Sequence, residues 1–167
     1  MYLYLIRHGI ATDPLQPDSI TSDELRSLTK LGRKKITQVA AKLQKLELTF
    51  DLIMTSPLIR ARQTADILID NHISSKLELS LDLKPGGNLA DWLLNWDARS
   101  LDTNISQLAL VGHEPNLSEW AELLLFGRVY HKLILKKGGI ICLKIPTSRI
   151  EIGMAQLHCS IPPKYLD

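Results

Sequence analysis

With 167 residues, 45% of them hydrophobic and 23% charged, the chain has the size and composition of one ordinary globular domain, not of a disordered or fibrous polymer. A net charge of +2 without a dense Lys/Arg tract, and an aromatic content of 5%, argue against a nucleic-acid surface. No apolar run approaches membrane-spanning length, and Arg7 interrupts the first apolar stretch too early for a signal peptide, so no membrane contact and a cytoplasmic location are expected.

Tyr2 to Ile6 reads as a short buried strand, and it runs straight into Arg7-His8-Gly9. A cation, an imidazole and a glycine do not end an interior strand for packing reasons. Gly9 would let backbone amides approach a ligand, Arg7 offers a planar fork of donors, and His8 is the side chain most used for proton or group transfer near neutral pH. Taken alone, the three residues also fit a solvent-exposed turn. Ala11 to Ser27 is a polar, Pro- and Asp-containing loop with Arg26 near its end. A helix is predicted from an N-cap at Thr29 to about Leu46, with Ile36, Val39, Ala40, Leu43 and Leu46 on its buried face.

Phe50 to Met54 is the second predicted strand. Ser56 as N-cap and Pro57 as first helical residue open a helix to about Asp70, with Leu58, Ala61, Ala65, Leu68 and Ile69 inward. Arg60 falls in its first turn, where a cation opposes the helix dipole and a bound anion would relieve it. Leu77 to Leu83 suits a short strand, and Lys84 to Gly87 a turn. Asn88 caps a short helix through about Trp96, with Trp92 and Trp96 as core or lid residues, and Asp97 to Ser106 reads as irregular. Gln107 to Val111 is the next strand. It leads through Gly112-His113-Glu114-Pro115 into a helix whose face is Leu117, Trp120, Ala121, Leu124 and Leu125, stopping at Gly127. Lys136 to Gly139 turns into a strand from Ile140 to Ile145, and Ile150 to Cys159 supplies an edge strand. Cys142 and Cys159 lack CxxC spacing and read as reduced core thiols.

Three predicted strands therefore end in chemistry: His8, then Ser56-Pro57 with Arg60, then Gly112-His113. In an open, mostly parallel α/β sheet these ends converge where ligands bind, beside helix N-termini that favour anions. Two arginines and two histidines suit a phosphoryl group, whose transfer depends on positioning and charge stabilisation. One imidazole can attack phosphorus and carry the phosphoryl group covalently while Arg7 and Arg60 clamp its oxygens and His113 stabilises charge from the other side. The sequence holds neither a carboxylate cluster nor a Gly-rich P-loop for a metal, so no cofactor and no metal are expected.

Arg7-His8-Gly9, Ser56-Pro57-Leu58-Ile59-Arg60-Ala61-Arg62-Gln63-Thr64 and Gly112-His113, in that order, resemble the histidine phosphatase superfamily over Tyr2 to about Ile145. Arg26-Ser27-Leu28-Thr29 with Gly32, Asp82 to Gly86 and the short length are most similar to its SixA-type phosphohistidine phosphatase branch. The resemblance implies residues 1–167 as one three-layer α/β/α sandwich. It also implies His8 as the phosphorylated nucleophile, with Arg7, Arg60 and His113, and more peripherally Arg26, binding phosphate.

Mutase-like members supply a carboxylic acid to the leaving alkoxide from a segment near Asp82. Their flanking pattern is missing here, and Glu114 is a second candidate. The acid matters most for an alkoxide, whose parent alcohol has a pKa of roughly 15–16, near that of water. A protonated phosphoimidazole instead releases imidazole, whose conjugate acid has a pKa of about 6.5. The expected substrate is thus phosphohistidine in a partner protein. A small-molecule phosphomonoesterase of the same superfamily, acting on a small phosphorylated molecule, and a catalytically silent phosphate-binding module are the competing readings. The short stretch between Leu83 and Gln107 leaves little chain for a cap over a small substrate.

Overall fold

The computed structural model describes residues 1–14, 23–100, 105–146 and 149–166, with the backbone alone at 98–100. In chain order these form β1 (Tyr2–Arg7), α1 (Lys30–Lys45), β2 (Leu52–Thr55), α2 (Ile59–Asp70), β3 (Leu77–Leu79), α3 (Leu89–Ser100), β4 (Gln107–Gly112), α4 (Asn116–Phe126), β5 (Ile140–Lys144) and β6 (Gln156–Ile161). Short 3₁₀ turns occupy Leu81–Leu83 and Pro163–Tyr165. The strands make one mixed sheet in the order β3-β2-β4-β1-β5-β6. The pairings β3–β2, β2–β4 and β4–β1 are parallel, and β1–β5 and β5–β6 are antiparallel.

Period-two alternation sorts the strand side chains onto two faces. Leu3, Leu5, Leu52, Met54, Leu108 and Leu110 join the apolar faces of α3 and α4 through Trp92, Trp96, Leu117, Trp120 and Leu124. Tyr4, Ile6, Ile53, Ala109 and Val111 join α1 and α2 through Val39, Ala40, Leu43, Ala61, Ala65 and Leu68. Strands buried on both faces read as continuous apolar runs, which is why β1 and β4 stand out in the sequence. The chain following β1 thus leaves on one face and the chain following β4 on the other. Between them opens the kind of crevice at strand carboxyl ends where α/β proteins bind ligands.

Several elements depart from their sequence signals for tertiary reasons. Helix α2 starts at Ile59 with Leu58 at the N-cap, not at Ser56-Pro57, although the Ser56 hydroxyl accepts the Leu58 amide. Leu46, expected on the buried face of α1, is the C-cap and 59% exposed. Helix α3 continues past Trp96 to Ser100, and Asp97 pairs with Arg149 at 2.6 Å. Strand β6 begins at Gln156, not Ile150, because Gly153 and Ala155 first donate their amides to the Leu123 and Leu124 carbonyls of α4. Of the loop expected over residues 11–27, residues 15–22 lie outside the described residues, as do 101–104 of the irregular stretch after α3. Cys142 and Cys159, distant in sequence, are register partners across β5 and β6, and both are free thiols. No helix among the described residues is long and apolar enough to cross a membrane.

One buried carboxylate ties down the chain behind the site. Glu122 of α4 is 1% exposed and accepts the backbone amides of Tyr130, His131, Lys132 and Leu133. That segment runs into Leu135, whose carbonyl receives the Arg7 guanidinium. Burial alone would raise the Glu122 carboxyl, but the four amide donors outweigh it and hold it at about 2. Its contribution to stability is therefore present above the ordinary carboxylate range and is lost as pH falls toward 2. Glu122→Ala strips four amides of their acceptor, and the melting temperature is expected to drop by about 5–10 °C. Glu122→Gln should fall nearly as far, since its NH₂ faces N–H donors where an oxygen stood. Thermal unfolding at pH 7 measures both, and an unchanged midpoint would remove this anchor.

Candidate active site

Register brings the three chemical stretches together. In the parallel β1–β4 pairing Arg7 lies opposite Gly112, so the next residues, His8 and His113, leave neighbouring strands at the same level. Their rings sit 5.1 Å apart between centroids. In the β2–β4 pairing Thr55 lies opposite Val111, which sets Ser56 beside the Gly112-His113 end. The three stretches line up on adjacent strands although Ser56 and His113 lie 57 positions apart in the sequence.

His8 is 5% exposed. Its Nδ1 lies 2.7 Å from the Gly9 carbonyl oxygen, which can only accept, so Nδ1 carries the proton and Nε2 keeps its lone pair. The Nε–H of Arg60 donates to that lone pair at 3.2 Å, in agreement with the same tautomer. Burial, and then the cations Arg60, Arg7 and Lys137, push the imidazole down to about 3 against the opposing pull of the Gly9 carbonyl. His113, 2% exposed, is also lowered to about 3, by burial first and then by its neighbour His8. Its Nε2 lies 2.9 Å from the Ser56 hydroxyl. That hydroxyl accepts the Leu58 amide, so its own proton is free to point at the ring.

Arg7, His8, Arg60 and His113 all line one pocket of about 320 Å³, and Arg26 stands on its rim. Arg60, from the first turn of α2, is 4% exposed and does not lie sideways in solvent. Arg7 donates Nη1 to the Leu135 carbonyl at 2.9 Å. Its Nε and the Nδ1 of His113 are buried without a hydrogen-bond partner. Two orphaned polar atoms from residues of one pocket are what an anion would satisfy.

The pocket also holds residues to which local sequence gives no role. Asp23, Pro85 and Lys137 line it beside Glu114. Lys137 arrives on the Lys136–Gly139 turn, where Gly138, at φ +79°, donates its amide to the carbonyls of Arg7 and His8. A turn that closes on the end of β1 could be suspected from its two glycines, but its target could not. Of the two acid candidates, Glu114 faces the pocket. Burial raises its carboxyl despite two bonds from Ser118 and the nearby Arg7. Asp82 instead accepts from Asn95 at 2.9 Å and lines a neighbouring hollow with Trp92 and Trp96.

Gly9 serves a different purpose from the one its place suggests. Its amide donates to Thr64 Oγ1, and a Cβ there would lie 2.8 Å from Ile36 Cγ1. Glycine is needed for the close approach of α1, not for a ligand. Among the described residues no group of three or more His, Cys, Asp or Glu side chains could hold a metal.

The profile of the histidine phosphatase superfamily (branch 1) matches residues 3–84, which contain Arg7-His8-Gly9 and Arg60. An uncharacterised protein of Picosynechococcus sp. is 43% identical over 170 residues, 99% of both chains. The structure of the protein histidine phosphatase SixA complexed with tungstate superposes with a TM-score of 0.82 at 21% identity, covering 100% of both chains. A phosphoserine phosphatase of Entamoeba histolytica in complex with 3-phosphoglyceric acid superposes at 0.68 with 21% identity, over 99% of this chain and 98% of the other. At such identities the structural likeness is one of fold. Together with the profile match, it establishes that the chain belongs to the histidine phosphatase superfamily.

Proposed function

We propose that this protein is a phosphatase that removes the phosphoryl group from phosphohistidine in a partner protein, through a covalent phosphohistidine on His8. The observation that carries the reading is the His8 imidazole, neutral and locked with its Nε2 lone pair in a pocket rimmed by Arg7, Arg26, Arg60 and Lys137. Helix layers on both faces of the sheet fit the three-layer sandwich that goes with it.

In the first step Nε2 attacks phosphorus and the phosphorus–nitrogen bond of the substrate breaks. The departing imidazole leaves neutral if it was protonated at its other nitrogen. Arg7 and Arg60 hold the equatorial oxygens, and the unpartnered His113 Nδ1 donates from the opposite side. In the second step water attacks phosphorus, the bond to Nε2 of His8 breaks, inorganic phosphate leaves, the water's proton passes to solvent and His8 is restored. No metal or other cofactor takes part. Among the described residues of the stretch between Leu83 and Gln107 only Pro85 lines the pocket, while Trp92 and Trp96 of α3 are buried in the core, and this supports a protein substrate.

Glu114 supports the second reading, a small-molecule phosphomonoesterase, because burial biases its carboxyl toward the protonated form that a leaving alkoxide needs. Turnover of a phosphohistidine-containing protein beside nitrophenyl phosphate and a sugar phosphate separates the two. Phosphohistidine is expected to be cleaved fastest, nitrophenyl phosphate more slowly and the sugar phosphate slowest. Glu114→Gln should depress sugar-phosphate hydrolysis by about 100-fold and spare phosphohistidine. Fast hydrolysis of the sugar phosphate that is lost in Glu114→Gln would move the protein to the small-molecule reading. No turnover of any substrate would leave a silent binding module.

A further inference from the structure

No nitrogen of the Arg60 guanidinium is left over. Its Nε donates to His8 Nε2 at 3.2 Å, its Nη1 to the Asp23 carbonyl at 2.6 Å and its Nη2 to the Asp23 carboxylate at 2.9 Å. The other carboxylate oxygen of Asp23 takes Nη1 of Arg26 at 2.9 Å. One side chain thus bridges two arginines of the pocket with two anionic oxygens, the arrangement a phosphoryl group would adopt there. The following residue, Glu24, pairs with Lys84 at 2.6 Å, which ties the same segment to the turn carrying Pro85 on the pocket wall.

We propose that Asp23 is an internal anion that competes with phosphate: it pairs with Arg60 and Arg26 in the pocket and must be displaced when a phosphoryl group enters. The inference rests on the phosphatase reading and deepens it. Displacement is asymmetric by construction. The Asp23 side chain is 40% exposed and can swing into water with its charge solvated, whereas the Arg60 side chain, at 5%, stays. The Nη2 released by the carboxylate then turns to a phosphoryl oxygen while Nη1 keeps the Asp23 carbonyl, and Nε2 of His8 loses its donor at the moment it meets phosphorus.

Such a competitor sets a threshold. The apparent affinity of any anion is reduced by the fraction of molecules in which Asp23 has already left. Free phosphate meets that threshold with its own oxygens alone. A phosphoryl group presented on a protein surface adds contacts at the pocket wall, at Pro85 and Lys137. Asp23 weakens both alike, and the added contacts leave the protein-borne group the one that still binds above the threshold.

Calorimetric titration of inorganic phosphate into wild type, Asp23→Asn and Asp23→Ala at pH 7 tests this. Both variants are expected to bind phosphate about tenfold more tightly, the change expected if the open form is about a tenth of the wild-type population. Phosphate should become a correspondingly stronger product inhibitor, and KM for the phosphohistidine protein should fall. Unchanged or weaker phosphate binding, or a raised KM, would overturn the inference, because Asp23 would then only brace Arg60. Phosphate binding by neither wild type nor variants would overturn the phosphatase reading together with it.

Discussion

His8→Ala is expected to abolish turnover, with kcat falling about 10,000-fold or more, because it removes the group we propose forms the covalent intermediate. The pocket, its arginines and the fold should survive, since the ring is held by one bond to its neighbour's carbonyl and one from Arg60. Acid quenching destroys phosphohistidine and base preserves it, so wild type quenched in base should carry one phosphoryl group and His8→Ala none. The pH profile offers a second check with a defined sign. An ordinary imidazole loses its lone pair to a proton below about pH 6.5. Burial and the surrounding cations lower His8 to about 3, so the free enzyme keeps its nucleophile as pH falls through 6 and 5 and loses it only near 3. The acid limb of kcat/KM should accordingly lie well below that of an exposed histidine. Undiminished turnover by His8→Ala would falsify the assignment of the nucleophile.

Arg60→Lys is expected to lower kcat/KM about 100-fold, although it keeps the positive charge. The loss is geometric. Arg60 reaches His8 through Nε and Asp23 through both terminal nitrogens, three directions in one plane. An ammonium at the end of a flexible stem cannot hold two phosphoryl oxygens and stay beside Nε2. It would also be desolvated, since the arginine it replaces is 4% exposed. The expected signature is a larger loss in kcat than gain in KM, because the fork is used most fully when charge spreads over the equatorial oxygens. A lysine variant with activity within about threefold of wild type would take Arg60 out of the phosphate clamp.

The site was legible in the sequence to the extent that it is made at the ends of elements. Arg7 and His8 follow a strand that is apolar on both faces, Arg60 stands in the first turn of a helix, and His113 follows a second such strand. Those positions depend on local periodicity and on turn residues, which are written in consecutive positions. The same local logic misread Gly9 and saw only part of what Ser56 does. Glycine before a loop suggested room for a ligand, but the space is filled by Ile36 of α1. Serine before proline suggested a helix cap, and its hydroxyl does accept the Leu58 amide, but it also meets His113, which no local pattern shows.

What the sequence by itself determined is the set of elements, the apolar faces that sort them onto two sides of a sheet, and four charged or titratable residues at strand or helix ends. What only the tertiary structure decided is which ends are neighbours and what each group touches. The register of β1 against β4 puts the two imidazoles side by side, and that of β2 against β4 puts Ser56 beside them. Burial among cations keeps both rings neutral, Glu114 turns inward where Asp82 does not, and Asp23 pairs with Arg60 and Arg26. The physical reason is that helix and strand periodicity are properties of neighbouring residues. Proton affinity, tautomer and ion pairing are instead set by whichever distant groups share the same few ångströms, and packing alone chooses those.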